Sequence, residues 1–310
     1  MRSVRRGRPE RVADPGSGDA TRRGTGRIDL PPPLPLAYGE LTEQDVLELR
    51  SLKEQIRDES GLFCEGYKEK CLRRRLAVRM RARGVHRYAD YARLLDGDPG
   101  EYAKLLDAIT INVSKFYRNP EVWEAVRTIV LPEIFRKEGP VRLWSAGTAT
   151  GEEPYTLAML VRDYLESVGR TSELERVDIE ATDIDQRALD RARQAMYPPL
   201  ALVETPDSAR ARWFEPGGPP FRVKDDVRRM VRFRRGDLIR DAAPASLDLI
   251  ICRNVFIYFE REVQETLLER FTDALVPGGW LVLGKVETLL GPVAPLLESV
   301  RARERIYRKR

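Results

Sequence analysis

Between Val141 and Tyr307 short apolar runs alternate with longer amphipathic stretches, and this rhythm restricts the fold more than any other property of the chain. The runs fall at 141–145, 177–182, 231–234, 247–252, 280–284 and 305–307. Buried strands separated by amphipathic crossovers form βαβ units, so the pattern predicts an α/β fold built on a parallel sheet. Open sheets of this kind bind ligands at the carboxyl ends of their strands. The loop after the first run, "WSAGTATGEEPY" from Trp144 to Tyr155, is therefore the first candidate site.

Its glycines let the backbone approach a ligand, yet they are followed by Glu152 and Glu153. Nucleotide phosphates are met by helix N-terminal N–H groups and nearby cations, and two carboxylates there would repel them. A cationic ligand reverses the argument. S-adenosylmethionine has no phosphate and carries a sulfonium and an ammonium group, which acids in this loop can receive. Asp183, at the end of the second run in "EATDID", is placed to accept hydrogen bonds from ribose hydroxyls. Taken by themselves, the two glutamates suit a helix N-terminus equally well.

The remaining sequence divides around this α/β part, which runs over 141–310. A stretch broken by "PP" and "EPGGPP" is too irregular for one crossover helix and predicts a small inserted antiparallel β-subdomain at about 200–232. Residues 37–118 have helical spacing: Thr42 is a candidate N-cap, Gly84 a candidate C-cap, and "DGDPG" separates two further amphipathic helices. An all-α domain is expected there, joined by a linker helix at 119–140. Residues 1–36 mix Arg, Gly, Asp and Pro without apolar periodicity, which predicts a disordered basic leader outside the fold.

Composition removes several kinds of chemistry. The cysteines, Cys64, Cys71 and Cys252, are too scattered for a disulfide framework or a zinc site. His86 is the only histidine and lies far from every glycine motif, so neither a Ser-His-Asp triad nor a two-histidine metal site is available, and no metal is expected. The net charge of +5, with arginine concentrated toward the N-terminal part, implies an acidic partner. No stretch approaches the roughly 20 apolar residues of a membrane span, and the start lacks the apolar run of a secretory signal. A cytoplasmic protein without membrane insertion is expected.

Five motifs occur in order: "ITINVSKFYRNP", "WSAGTATGEEPYTLAM", "ATDIDQRALDRAR", "ICRNVFIYFE" and "GGWLVLGKVETL". Together they resemble the CheR family of chemotaxis receptor methyltransferases, over about Leu41 to the C-terminus. The resemblance implies a Rossmann-type methyltransferase domain with a small inserted β-subdomain, preceded by an all-α domain. It also implies methyl transfer from S-adenosylmethionine to glutamate side chains of chemoreceptors, giving glutamyl methyl esters and S-adenosylhomocysteine. A glutamate is already an anion at neutral pH, with a reference pKa of about 4.3, so its attack on a sulfonium methyl needs no general base. Carried over motif by motif, Asn112, Ser114 and Arg118 lie at the cofactor, with Arg118 also holding the incoming carboxylate. Gly147 and Glu153 line the methionine side, Asp183 the ribose, Asp237 and Leu238 the adenine, and Asn254 with Val255 the remaining wall. Tyr258 brings its hydroxyl near the methyl group, unless it is a core aromatic of "FIYF". A small-molecule carboxyl methyltransferase and a non-catalytic sensor of S-adenosylmethionine are the alternatives.

The chain also departs from the family pattern. Asp237 stands where an asparagine is usual, and an aspartate accepts from the adenine amino group but does not donate as an amide does. Ile111 replaces a threonine, and Lys285-Val286 replaces a histidine and a serine. The arginine-rich helix with Arg73, Arg74, Arg75, Arg79, Arg81 and Arg83 matches the family's basic helix, which faces acidic cytoplasmic helices of chemoreceptors. Little aromatic interleaving accompanies these arginines, which argues against nucleic acid. The insert looks short, so no grip on a C-terminal receptor peptide is expected, and the protein is expected to be a monomer.

Overall fold

Thr42 starts the first helix because it and Asp45 satisfy each other's backbone. Its hydroxyl accepts from the Asp45 N–H at 3.2 Å, and the Asp45 carboxylate accepts from the Thr42 N–H at 3.0 Å. The computed structural model describes residues 39–310, so the expected leader at 1–36 lies outside the described residues. Helix α1 is Glu43–Ser60, α2 is Glu69–Ala82, α3 is Tyr88–Gly97 and α4 is Pro99–Thr110. Gly84 closes α2 as the spacing predicts: with φ +67° it lets Val85 N–H reach Met80 C=O at 3.0 Å while its own N–H reaches Arg81 C=O at 3.1 Å. Leu49, Leu52, Ile56, Leu72, Leu76, Met80, Tyr88 and Tyr91 fill the centre of these four helices.

The same packing corrects part of the docking assignment on α2. Arg79 turns inward and forks onto the fully buried Glu101 at 2.9 and 2.7 Å, while Tyr91 donates to the same carboxylate at 2.9 Å. Arg73 is buried as well, with Nη2 donating to the Gly39 carbonyl at 2.5 Å. Neither is presented to a partner. Arg74 is exposed, Arg75 is half-buried, and Arg81 is exposed.

Beyond the helices, α5 (Pro120–Ala125) runs on through one π turn, Val126–Val130, into Leu131–Ile134. The sheet follows. Its strands are β1 (Val141–Ala146), β2 (Val177–Asp183), β5 (Val231–Arg235), β6 (Leu247–Cys252), β7 (Leu275–Leu283), β8 (Leu297–Arg301) and β9 (Ile306–Lys309), in the order β5-β2-β1-β6-β7-β9-β8. The first five are parallel, while β9 pairs antiparallel with both β7 and β8, so the sheet is mixed. Strand β7 starts earlier than its apolar run, because Leu275 pairs Leu247 and the register then slips across "VPGG" before Trp280 meets Leu249. Helix Glu152–Ser167 (α6) is buried at every residue from Glu152 to Val161, whereas Gln186–Gln194 (α7) and Arg261–Ala274 (α8) are amphipathic and bury apolar stripes.

The insert contains less β-structure than the sequence suggests. Its sheet is β3 (Met196–Tyr197) against β4 (Phe221–Arg222), two residues each, with one further bridge between Phe214 and Val223. Short helical turns at Pro199–Leu202, Asp207–Trp213 and Asp225–Arg228 make up much of the rest. One seam between the helical part and the sheet lies at the start of α2. Lys68 N–H donates to the Tyr258 carbonyl at 2.8 Å, Glu260 N–H donates to the Gly66 carbonyl at 2.9 Å, and Lys68 Nζ reaches the Ile257 carbonyl at 3.1 Å.

Candidate active site

The parallel strands end together, and their carboxyl ends leave a crevice over β1, β2 and β6 whose far wall is the segment between α4 and α5. β1 stops at Ala146 and the chain turns through Gly147, with φ +77°. A side chain there would place its Cβ 2.6 Å from Val255 Cγ2, so only glycine fits this crossing. Gly147 and Thr148 both donate to the Thr182 carbonyl, at 2.9 and 3.0 Å, which ties the loop to the end of β2.

The two acids that follow separate. Both belong to the first turn of α6 and both are buried, so the helix N-terminus reading holds for each. Only Glu153 faces the crevice, where Ser145 Oγ donates to it at 2.9 Å. Burial pushes its carboxyl up to about 7, against the pull of Arg253, Ser145 and Arg118. Glu152 turns away to a neighbouring groove, where it accepts from Thr150 Oγ1 at 2.7 Å.

Asp183 ends β2 and lines the crevice. Its two oxygens accept from the Ala149 N–H at 2.7 Å and the Asp185 N–H at 2.9 Å, and burial raises its carboxyl to about 6. Arg118, Ser114, Gly147, Asp237, Leu238, Asn254, Val255 and Tyr258 line the same space. The Arg118 guanidinium and the Tyr258 hydroxyl make no hydrogen bond among the described residues; both are half-buried and line the crevice. Asn112 is placed differently. Its Nδ2 donates to Asp185 at 2.5 Å and to Thr110 at 3.2 Å, and it lines the neighbouring groove instead of the crevice.

Several residues of the site were not singled out from the sequence. Arg253, next to the flagged Asn254, is buried; it donates to Asn119 Oδ1 at 2.8 Å and lies over the Trp123 ring at 5.5 Å. Glu287 lies beneath the wall. Its oxygens accept from the N–H groups of Gly284 at 2.5 Å, Asn254 at 3.0 Å, Val255 at 2.7 Å and Phe256 at 2.8 Å, which holds the strained Asn254, at φ +63°. Burial raises its pKa while these four donors oppose the rise. The signal was present in "GKVE", where an acid follows the last parallel strand as Asp183 ends the second.

The donors and acceptors left over define what the crevice fits. Thr148 Oγ1, Asp237 Oδ2, Asn254 Oδ1 and Arg253 Nε are buried lining atoms without a partner. Three of the four can accept a hydrogen bond and two buried carboxylates stand beside them. A ligand rich in N–H and O–H groups and bearing positive charge satisfies this set, and a pyrophosphate does not.

Comparison with known proteins agrees with this chemistry. The family described as "CheR methyltransferase, SAM binding domain" matches residues 112–304, and "CheR methyltransferase, all-alpha domain" matches residues 47–110. A chemotaxis protein methyltransferase of Listeria monocytogenes is 34% identical over 76% of this chain and 88% of its own length. One from Borreliella burgdorferi is 30% identical over 79% of this chain and 89% of its own, and chemotaxis protein methyltransferase 2 of Pseudomonas aeruginosa is 32% identical over 78% and 87%.

Proposed function

The chain belongs to the CheR family of S-adenosylmethionine-dependent methyltransferases, and from that premise we propose that it methylates glutamate side chains on the cytoplasmic helices of chemoreceptors. The observation that supports this most is the pairing, in one crevice, of two buried carboxylates with a half-buried arginine and tyrosine that have no partner there. The carboxylates suit the cationic cofactor and the arginine suits an anionic acceptor. The fit to the cofactor rests on the unpartnered acceptors Asp237 Oδ2 and Asn254 Oδ1 and on the glycine crossing at Gly147.

When bound, S-adenosylmethionine supplies an electrophilic methyl on sulfur. The chain's own residues hold and aim. Glu153 would receive the ammonium end, Asp183 would accept from the ribose, Asp237 and Leu238 would border the adenine, and Ser114, Asn254 and Val255 would close the walls. Arg118 presents a planar fork to the acceptor carboxylate, and Tyr258 donates its hydroxyl at the same end. No proton has to be removed, since the acceptor is already ionised. Alignment of oxygen, methyl and sulfur then does most of the work. Asn112 acts through Asp185, fixing the α4–α5 segment against the start of α7.

The division into leader (1–36), docking domain (37–118), linker helix (119–140) and methyltransferase domain (141–310) belongs to the same reading. So do a cytoplasmic location, a monomer, and docking through Arg74, Arg75 and Arg81 without a C-terminal peptide tether. Among the described residues no helix is long and apolar enough to cross a membrane. The test is transfer of a labelled methyl group to a purified chemoreceptor cytoplasmic fragment, with the label released as methanol by mild base. Label going to free carboxylic acids, or cofactor binding without transfer, would overturn the proposal.

A further inference from the structure

A protein acceptor enters the crevice through one side chain, so its backbone has to cross the rim. The rim segment Val113, Ser114 and Lys115 is also the wall of a second groove, whose other side is formed by Met196, Tyr197 and Leu200 of the insert. The groove is mixed in character but carries exposed apolar side chains on both of its sides. Val113, Met196 and Leu200, which line it, are three of the ten exposed large apolar side chains among the described residues, with Val113 71% and Leu200 70% exposed. A cluster of that kind marks an interaction site more often than chance exposure does.

The face is also held in place. Phe116 N–H donates to the Ala201 carbonyl at 2.9 Å, and Asn119 N–H donates to Glu204 at 2.7 Å, so rim and insert move as one piece. The cations beside it are already engaged: Lys115 pairs with Glu204 and Arg191 with Asp107, each at 3.3 Å. Glu152 in the groove is buried, and that burial raises its pKa toward the neutral form. What remains for a partner here is apolar contact with Val113, Met196 and Leu200, together with the polar side chains of Asn112, Ser114, Thr150 and Gln194. At another stretch of the rim, Tyr67 and Tyr258 line the crevice where the start of α2 is stitched to the 257–260 loop, and the arginines of α2 supply the charge.

We infer that the Val113–Met196–Leu200 groove seats the apolar face of the acceptor helix itself, whose acidic flank meets the arginines of α2. The inference rests on the reading that the acceptor is a protein glutamate. A helix about 10–12 Å across carries both kinds of face at once, and laying the apolar one in a groove is a standard mode of helix recognition. Two contacts of different chemistry would fix its rotation, and therefore which glutamate points at the methyl group.

The test uses the full chain carrying Met196→Asp, Leu200→Asp, or both. These side chains are exposed and line only the groove, so affinity for S-adenosylhomocysteine, read by calorimetry, should stay at the wild-type value. KM for a purified chemoreceptor fragment should rise on the order of tenfold while kcat at saturation changes little. A photo-crosslinker at position 200 should capture that fragment. Wild-type KM in both variants would overturn the inference while leaving the proposed activity intact. Wild-type enzyme that binds cofactor but methylates no fragment would overturn the acceptor assignment instead. A wild-type dimer that Leu200→Asp converts to monomer would give the face to a second copy of the chain and overturn the inference as well.

Discussion

In the proposed binding roles, Glu153 and Asp183 would act against their own environment. Both are buried, which favours the neutral acid, and a cationic ligand needs the charged one. The ionised form predominates only above about 7 for Glu153 and about 6 for Asp183. Affinity for S-adenosylmethionine should therefore weaken as pH falls from about 8 to about 5.5, by up to roughly tenfold per unit for each group once below its pKa. Binding below neutrality should release protons, which calorimetry in two buffers of different ionisation heat reads directly; a flat affinity across that range would contradict the assignment. Glu287 makes a second prediction. In Glu287→Gln two of the four backbone donors would face an NH2 group, and each unsatisfied buried donor costs about 1–3 kcal/mol, so thermal stability and cofactor affinity should both drop. Much of this site was legible in the sequence, because glycine and acid at a strand end announce themselves in one dimension. Arg253 and Glu287 were not, since their roles depend on burial and on which loop lies above them.

At the scale of elements, period was read correctly and direction was not. The α2 sequence predicts a helix, yet it was the arginine count that drew attention. Residues 72, 76, 79 and 83 form one stripe at helical spacing, and Leu72 and Leu76 on that stripe are buried, so Arg79 had to follow them inward. There it neutralises Glu101. Arg79→Ala should leave the buried Glu101 with only the more distant Arg83, at 3.6 Å, and the Tyr91 hydroxyl, and lower the unfolding free energy by about 3 kcal/mol, measurable as a shift in denaturant midpoint. Arg74→Ala, on the exposed side, should leave stability within about 0.5 kcal/mol of wild type. The reverse ranking would show that the inward pair is not what holds α2 against α4. Strand β8 escaped the sequence reading for a related reason: "LESVR" buries only Leu297, and it is a strand because β9 offers it an edge. The insert's prolines and glycines predict an antiparallel β-subdomain, and it is present as the two-residue strands β3 and β4, since turn residues mark where a chain reverses and not how far its strands pair.

Across the whole molecule, the seam between residues 66–69 and 257–260 sets the start of α2 beside the crevice, so the proposed docking and transfer would share one rim. On the proposed docking surface, recognition through α2 would rest on the exposed Arg74 and Arg81 and the half-buried Arg75, where each ion pair with an exposed acid is worth roughly 0.2–1 kcal/mol. Such contacts add up and are screened, since the Debye length is about 10 Å at 0.1 M salt. Methylation of a receptor fragment should decline as salt rises from about 0.05 to about 0.3 M, through KM for the fragment, while affinity for S-adenosylhomocysteine changes far less. Arg74→Glu with Arg75→Glu should reproduce the high-salt behaviour at low salt. The insert presents only the two-residue strands β3 and β4 to any added peptide strand, which is little backbone to pair with. Removing the last few residues of the receptor should therefore leave the rate unchanged. If that truncation abolishes methylation while the double charge reversal does nothing, recognition runs through a peptide tether on the insert and not through α2.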